Sequence, residues 1–255
     1  MTHQMKLRPE PFAAVRDGYK SIELRLYDEK RRTINVGDEI VFSCTDGSSA
    51  SVTKKVIALH VFNDFHELYN ELQLLKCGYT PLNLLFAKAE DMEAFYPIEE
   101  QRANKVVGIE FEEIPLQRFI AGHNGSLPEC SGYETALAEI RSGLKETHWI
   151  WYIFPMIKGL TADRATEYYA LDGIAEAKAF YEHPLLGSRL REITSAVLAL
   201  ETDDIVTVFE TIDAYKLRSC MTLFSLLYPD DELFEKVLEK YCMGMCDEMT
   251  IELMK

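Results

Sequence analysis

Gly18-Tyr19-Lys20-Ser21-Ile22-Glu23-Leu24-Arg25-Leu26 alternates in its second half. Ile22, Leu24 and Leu26 fall on one side of an extended chain, and Ser21, Glu23 and Arg25 on the other. A period of two predicts a β-strand. Glu23 and Arg25 then share a face, about 7 Å apart by strand rise. Gly18 ahead of the strand permits a tight backbone approach. Strict alternation puts Lys20 on the apolar side, so it is expected outside the regular strand or at the mouth of a barrel. A cation beside a carboxylate in such a mouth can bind a base edge, hold a phosphate or serve acid–base chemistry. The same spacing also suits a solvated strand face, where a Glu–Arg pair contributes almost nothing to stability.

Segments on the C-terminal side of this strand repeat the pattern. Gly37-Asp38 turns the chain into Glu39–Ser43, where Ile40 and Phe42 alternate, and Val52–Phe62 keeps Ile57, Leu59 and Val61 in phase. Lys105–Phe111 is rich in β-branched residues. Between them Asp64 and Glu67 have capping-box spacing, Phe65, Leu68 and Leu72 form a helical stripe, and Gly78 follows its end. Five or six short strands with one or two helices predict a small, partly open β-barrel over residues 1–114. Beyond Pro115 the period becomes helical. Ser131 and Glu134 have capping-box spacing before the Tyr133, Leu137, Ile140 stripe, which Gly143 stops. Asp172 is placed to cap a helix through Tyr181, and Pro184 suits the first turn of a helix running towards Leu200. Ala214–Leu227 and Glu232–Tyr241 also read as helices. The expected architecture is α+β: a barrel at 1–114 and an all-helical domain at 118–255.

Composition narrows the function. Of 255 residues 47 % are hydrophobic and 27 % charged, enough apolar material for real cores. The net charge of −15 repels nucleic acid and anionic membranes in bulk, so any nucleic-acid contact must use a local basic patch, and a duplex-DNA clamp is not expected. The first 114 residues carry 14 cations against 19 carboxylates, and the remainder 13 against 23. The locally basic part is Arg16, Lys20, Arg25, Lys30, Arg31 and Arg32. Met1–Arg16 has no apolar signal core, and the longest apolar run, Trp149–Ile157, is too short to span a bilayer. The six cysteines have no framework spacing, and Cys242 with Cys246 lacks a second pair or a nearby histidine for zinc. A cytoplasmic protein without metal or cofactor is the expectation.

Gly18-Tyr19-Lys20-Ser21-Ile22-Glu23-Leu24-Arg25 resembles the GxKxxExR signature of the ASCH family, position for position. The likeness continues through Leu26–Arg32 and Val36-Gly37-Asp38, and Val106–Phe111 is similar to the family's closing strand. The resemblance implies a barrel similar to PUA domains and an RNA or nucleotide ligand. Lys20, Glu23 and Arg25 would form the site, with Arg8 on phosphate or base edges and Phe12 or Tyr27 as a stacking face. One bacterial branch of the family is an amidohydrolase on N4-acetylcytidine, using a lysine, a threonine three residues later and a distant glutamate. Lys20 matches the lysine, whereas Glu23 stands at the threonine position. A carboxylate there implies a general acid–base pair with Lys20 rather than a hydroxyl nucleophile. Glu67 and Glu71 are candidates for the distant glutamate, although helix-surface charge explains both. Ribonuclease activity is a family inference without residue support.

Thr147-His148-Trp149-Ile150-Trp151-Tyr152-Ile153-Phe154-Pro155, His183–Leu190 and Lys216–Phe224 appear in an order similar to the family catalogued as domain of unknown function 1810. Met156 departs from its usual glutamine. This resemblance implies helices and no activity. Trp149 and Trp151 read first as core, and His148 as a histidine beside it. If the helical half binds a ligand, its polar candidates are His148, Lys158, Arg189 and Lys216 around those tryptophans. Three functions therefore stand open: RNA or nucleotide binding at the barrel mouth, hydrolysis of an N4-acylated cytidine-type nucleoside, and a protein-interaction role for the helical half.

Overall fold

A computed structural model describes residues 1–128 and 130–255. Backbone contacts divide the chain into two compact units, Met1–Gln117 and Arg118–Lys255.

The first unit contains, in order, β1 (Thr2–Leu7), α1 (Pro9–Asp17), β2 (Ile22–Leu26), β3 (Glu39–Cys44), β4 (Ser51–Phe62), α2 (Phe65–Glu71), α3 (Ile98–Asn104) and β5 (Val106–Phe111). The strands form one sheet in the order β1-β3-β4-β5-β2, curled into a half-barrel. β1 pairs parallel with β3, and the other neighbours are antiparallel. β1 and β2 are therefore the two free edges.

Register explains how β2 is buried on both faces. Glu23 pairs with Ile109 and Arg25 with Val107, and directly paired residues share a face. Ile109 and Val107 belong to the barrel interior with Met5, Leu7, Phe12, Val15, Ile40 and Phe111. Ile22 and Leu24 point the opposite way, into a second core with Phe65, Leu68, Leu74 and Cys77. The polar side of β2 is thus the interior face of the half-barrel, and a solvated-face reading of Glu23 does not hold.

Local signals account for most boundaries. Asp64 caps α2 by accepting the Glu67 amide at 3.1 Å, while Glu67 reaches back to the Asn63 amide at 2.7 Å. Asp38 closes the turn before β3, accepting from the Asn35 amide and from the N-terminal ammonium, which holds its carboxyl well below the usual range. The stretch after α2 is built from short 3-10 turns, Leu74–Cys77, Asn83–Phe86 and Ala89–Ala94.

The second unit is helical: α4 (Gln117–His123), α5 (Tyr133–Ser142), α6 (Ile150–Ile153), α7 (Arg164–Tyr169), α8 (Gly173–Glu182), α9 (Leu186–Leu198), α10 (Val206–Leu227), α11 (Leu233–Cys242) and α12 (Glu248–Leu253). Two expected caps are absent. Gly132, not Ser131, precedes α5, and no side chain caps it. Asp172 precedes α8 without capping it, and its own amide donates to Glu176 at 2.7 Å. α9 is shorter than Pro184–Leu200 because His183 Nδ1 accepts the Leu185 and Leu186 amides and sets its start. α10 begins eight residues before Ala214 and bends at Glu210, whose φ 59 and ψ 167 break the helix. Among the described residues no helix is long and apolar enough to cross a membrane.

Candidate nucleotide-binding cleft and a second polar cluster

The seam between the edge strands holds a cleft of about 580 Å³. β1 lends it Lys6 and Leu7, and β2 lends Glu23, Leu24 and Arg25. Arg25 spans the seam: one guanidinium nitrogen meets Glu23 Oε1 at 2.5 Å, and another donates to the Lys6 carbonyl at 3.3 Å. That bond satisfies a carbonyl of a free sheet edge, which helps keep β1 from pairing with another chain.

Lys20 reaches the cleft because α1 ends sharply. Gly18 takes a left-handed φ of 85 and donates to the Ala14 carbonyl, as does the Lys20 amide. Lys20 therefore precedes β2, and its Nζ lies 3.0 Å from Glu23 Oε2. Its methylene stem lies against Gly78, where an added Cβ would stand 3.0 Å from Lys20 Cδ.

Glu23 is 1 % exposed and sits between two cations, so its burial is compensated. Oε2 makes the ion-pair contact with Lys20, yet no donor is aligned on it as a hydrogen bond. The site thus sets an acceptor with spare capacity beside two cationic donors. The lining also carries aromatic side chains, Tyr69, Tyr79, Phe95 and Tyr96, with Met92. Tyr69 and Tyr79 share a hydroxyl–hydroxyl bond of 2.7 Å. Burial, then the bond to Tyr79, push the Tyr69 phenol up. Cys77 also lines the cleft, but burial raises its thiol to about 12 and makes it a poor nucleophile.

Of the other residues singled out in the barrel, Arg8 lines the cleft and stacks its guanidinium over Phe95 at 5.1 Å. Phe12 is 4 % exposed in the interior core and presents no stacking face. Tyr27 packs against that core under Arg32, whose guanidinium lies 5.6 Å from its ring, and does not line the cleft. Glu67 and Glu71 are exposed on α2, and neither lines it. Arg31, from the basic stretch of the sequence, also lines the cleft, whereas Tyr79, Phe95 and Tyr96 carry no signal in the sequence. The three aromatics lie in an aperiodic stretch, and only the fold carries them to the seam.

In the second unit the candidates divide. His148 and Trp151 stack with centroids 6.4 Å apart, and Lys216 lies over the Trp151 ring at 5.3 Å. Two residues not foreseen complete this group. Asp213 pairs with Lys216 at 3.1 Å and Lys145 at 2.8 Å, and Lys145 lies over Trp149 at 5.3 Å. Trp149 is fully buried, and its indole donates to Glu139 at 2.7 Å. Burial would raise the Glu139 carboxyl, but donors from Thr147, Trp149 and the Glu146 and Thr147 amides outweigh it and hold it low. Lys158 and Arg189 stand apart from this group: Lys158 faces Asp172 at 3.5 Å, and Arg189 covers Tyr133 and bonds the His123 carbonyl. Among the described residues no three His, Cys, Asp or Glu side chains converge as metal ligands.

Residues 5–115 match the ASCH domain, and residues 113–254, more than half of the chain, match the family described as protein of unknown function DUF1810. No curated protein matches. Among solved structures, the conserved hypothetical protein Rv1873 from Mycobacterium tuberculosis is 33 % identical, with a TM-score of 0.51, over 54 % of this chain and 94 % of its own. The hypothetical protein PH0355 is 31 % identical over 45 % of this chain and 100 % of its own, with a TM-score of 0.37. Protein PF0455 from Pyrococcus furiosus is 33 % identical over 45 % and 98 %, with a TM-score of 0.32. The chain belongs to the DUF1810 family and carries an ASCH domain ahead of that region.

Proposed function

We propose that the half-barrel binds RNA or a nucleotide by taking one nucleoside into the cleft at the β1–β2 seam. The observation that carries this reading is the Lys20–Glu23–Arg25 cluster in a cleft that aromatic side chains also line. A base edge presents donors beside acceptors, and the cluster offers the complement: Glu23 Oε2 to accept, Lys20 and Arg25 to donate. Tyr79, Phe95 and Tyr96 supply rings for contact with the base. The volume suits a single nucleoside, since small-molecule sites run from roughly 300 to 1,000 Å³. The cleft lining has five cations, Lys6, Arg8, Lys20, Arg25 and Arg31, against Glu10 and Glu23, a local reversal in a chain of net charge −15. The ASCH match supports RNA or nucleotide binding at the level of the domain.

One observation favours a second reading, hydrolysis of an N4-acylated cytidine-type nucleoside. The Lys20–Glu23 contact places a proton donor and a carboxylate 3.0 Å apart within a nucleoside-sized volume, the arrangement for activating a water.

Incubation with N4-acetylcytidine and, separately, a short single-stranded RNA tests both. Binding that falls at least tenfold in Lys20→Ala and Arg25→Ala, with no product, supports the reader. Release of cytidine that disappears in Lys20→Ala establishes the hydrolase. Unchanged RNA and nucleoside binding in both variants at low salt contradicts the site.

A further inference from the structure

A second depression of about 380 Å³ lies on the same unit, lined by Gln4, Met5, Lys6, Lys30, Arg31 and Ser43. Lys6 and Arg31 line both this depression and the cleft, so the two meet at those side chains. No carboxylate lines the second depression, and its three charged residues are all cations. Asp28 neutralises part of Arg31 by accepting from one Nη at 2.7 Å. Arg31 Nε, however, is buried and has no hydrogen-bond partner among the described residues. A buried guanidinium N–H without an acceptor is costly, and Arg31 is a residue that lines both depressions. Lys6 and Lys30 are both exposed, and no ion pair among the described residues involves either ammonium.

We infer that this junction is a phosphate subsite, and that the ligand of the cleft is a nucleoside bearing a phosphate ester rather than a free nucleoside. The inference rests on the reading that the cleft takes a nucleoside. Three chemical facts combine here. A phosphate oxygen is the acceptor that Arg31 Nε lacks, and guanidinium is the side chain best matched to phosphate geometry. Lys6 and Lys30 flank it as point charges, with Ser43 as a hydroxyl donor. Lys6 and Arg31 line both depressions, so a nucleoside in the cleft adjoins the phosphate-binding candidates through those two side chains. The same chemistry is offered by a free mononucleotide and by one residue of an RNA strand.

Calorimetric titration of the intact protein decides it. The probes are cytidine, N4-acetylcytidine, uridine, adenosine and guanosine, each beside its 5′- and 3′-monophosphate, at low and high salt. The expected result is that at least one monophosphate binds about tenfold more tightly than its nucleoside, with the gain shrinking at high salt. Lys30→Glu, which alters only the second depression, should abolish that gain and leave nucleoside affinity unchanged. Arg31→Lys, which keeps a cation and removes the Nε donor, should reduce it too. A dinucleoside monophosphate that keeps the full gain identifies an RNA strand as the source, and one that loses it identifies a free nucleotide. Equal affinity for nucleoside and monophosphate overturns the phosphate subsite while leaving the nucleoside cleft standing. A Lys30→Glu loss shared equally by nucleosides and monophosphates also overturns it. Failure of every nucleoside and nucleotide to bind overturns the cleft reading, and the subsite with it.

Discussion

Lys20 and Glu23 meet at 3.0 Å although the alternation of their strand assigns them to opposite faces. The contact exists because Lys20 precedes β2, released from the strand's period by the left-handed end of α1 at Gly18. Glu23 follows the strand into the barrel interior, and Lys20 reaches round its start to meet it. An ion pair buried this deeply is sensitive to removal of one partner, which gives the first prediction. Glu23→Gln should destabilise the first unit by on the order of 3 kcal/mol, because Lys20 and Arg25 lose their counter-charge. Lys20→Met should cost less, since Arg25 still neutralises Glu23. Hydrogen exchange over β2 and β5 reads the loss, with peptides from α5 and α9 as the reference. Equal protection in Glu23→Gln and parent would contradict the pairing.

Gly78 supports the same lysine. Its φ of 101 is left-handed, and a Cβ there would press on the Lys20 stem. Gly78→Ala should cost about 1 kcal/mol from backbone strain and also weaken nucleotide binding by displacing Lys20. Nucleotide titration separates the effects: lost stability with unchanged affinity would show that Gly78 serves only the turn.

The sequence made part of this site readable. Period-two alternation located β2, β3 and β4, and β-branched content located β5, whose two faces enter different cores. β1 lacks a clear alternation in the sequence, because His3 stands in place of an apolar residue and leaves only Met5 and Leu7 buried. α1 was hidden by Pro9 and Pro11, which break the pattern on paper yet fit a first helical turn. Sequence separation is the deeper limit. Arg25 meets the Lys6 carbonyl across nineteen residues, and Asp213 meets Lys145 across a still longer interval. No local period encodes either contact. Phe12 failed as a stacking residue for the opposite reason: α1 turns it inward onto the strands, where its burial contributes more than exposure to a ligand.

His123 in the second unit gives a pH dependence. Its Nε2 bonds the Tyr152 carbonyl, and burial lowers the ring from 6.5 to about 3. The folded unit therefore holds it neutral, while the unfolded chain protonates it below its ordinary value. Stability from this group is complete above about pH 6.5 and is lost as pH falls towards 3, at up to about 1.4 kcal/mol per pH unit. Both tryptophans lie in this unit, so urea unfolding followed by tryptophan fluorescence reports it selectively. His123→Gln should flatten the dependence between pH 6.5 and 5, and an unchanged slope would contradict the assignment.

Cys77 tests the enclosure of the cleft. With its thiol raised to about 12, it should resist thiol reagents at neutral pH, whereas the half-buried Cys242 and Cys246 should react first. Peptide mass spectrometry after brief alkylation distinguishes them, and early modification of Cys77 would mean that the cleft wall opens.

In the proposed complex a nucleoside occupies the cleft lined by Lys20, Glu23 and the aromatic side chains. Amide chemical-shift mapping on the isotope-labelled intact protein tests it most directly, with nucleoside monophosphates and N4-acetylcytidine as probes. Saturable shifts are expected at Lys20, Glu23, Arg25, Tyr79 and Tyr96. Shifts confined to Arg118–Lys255, or none with any probe, would contradict it.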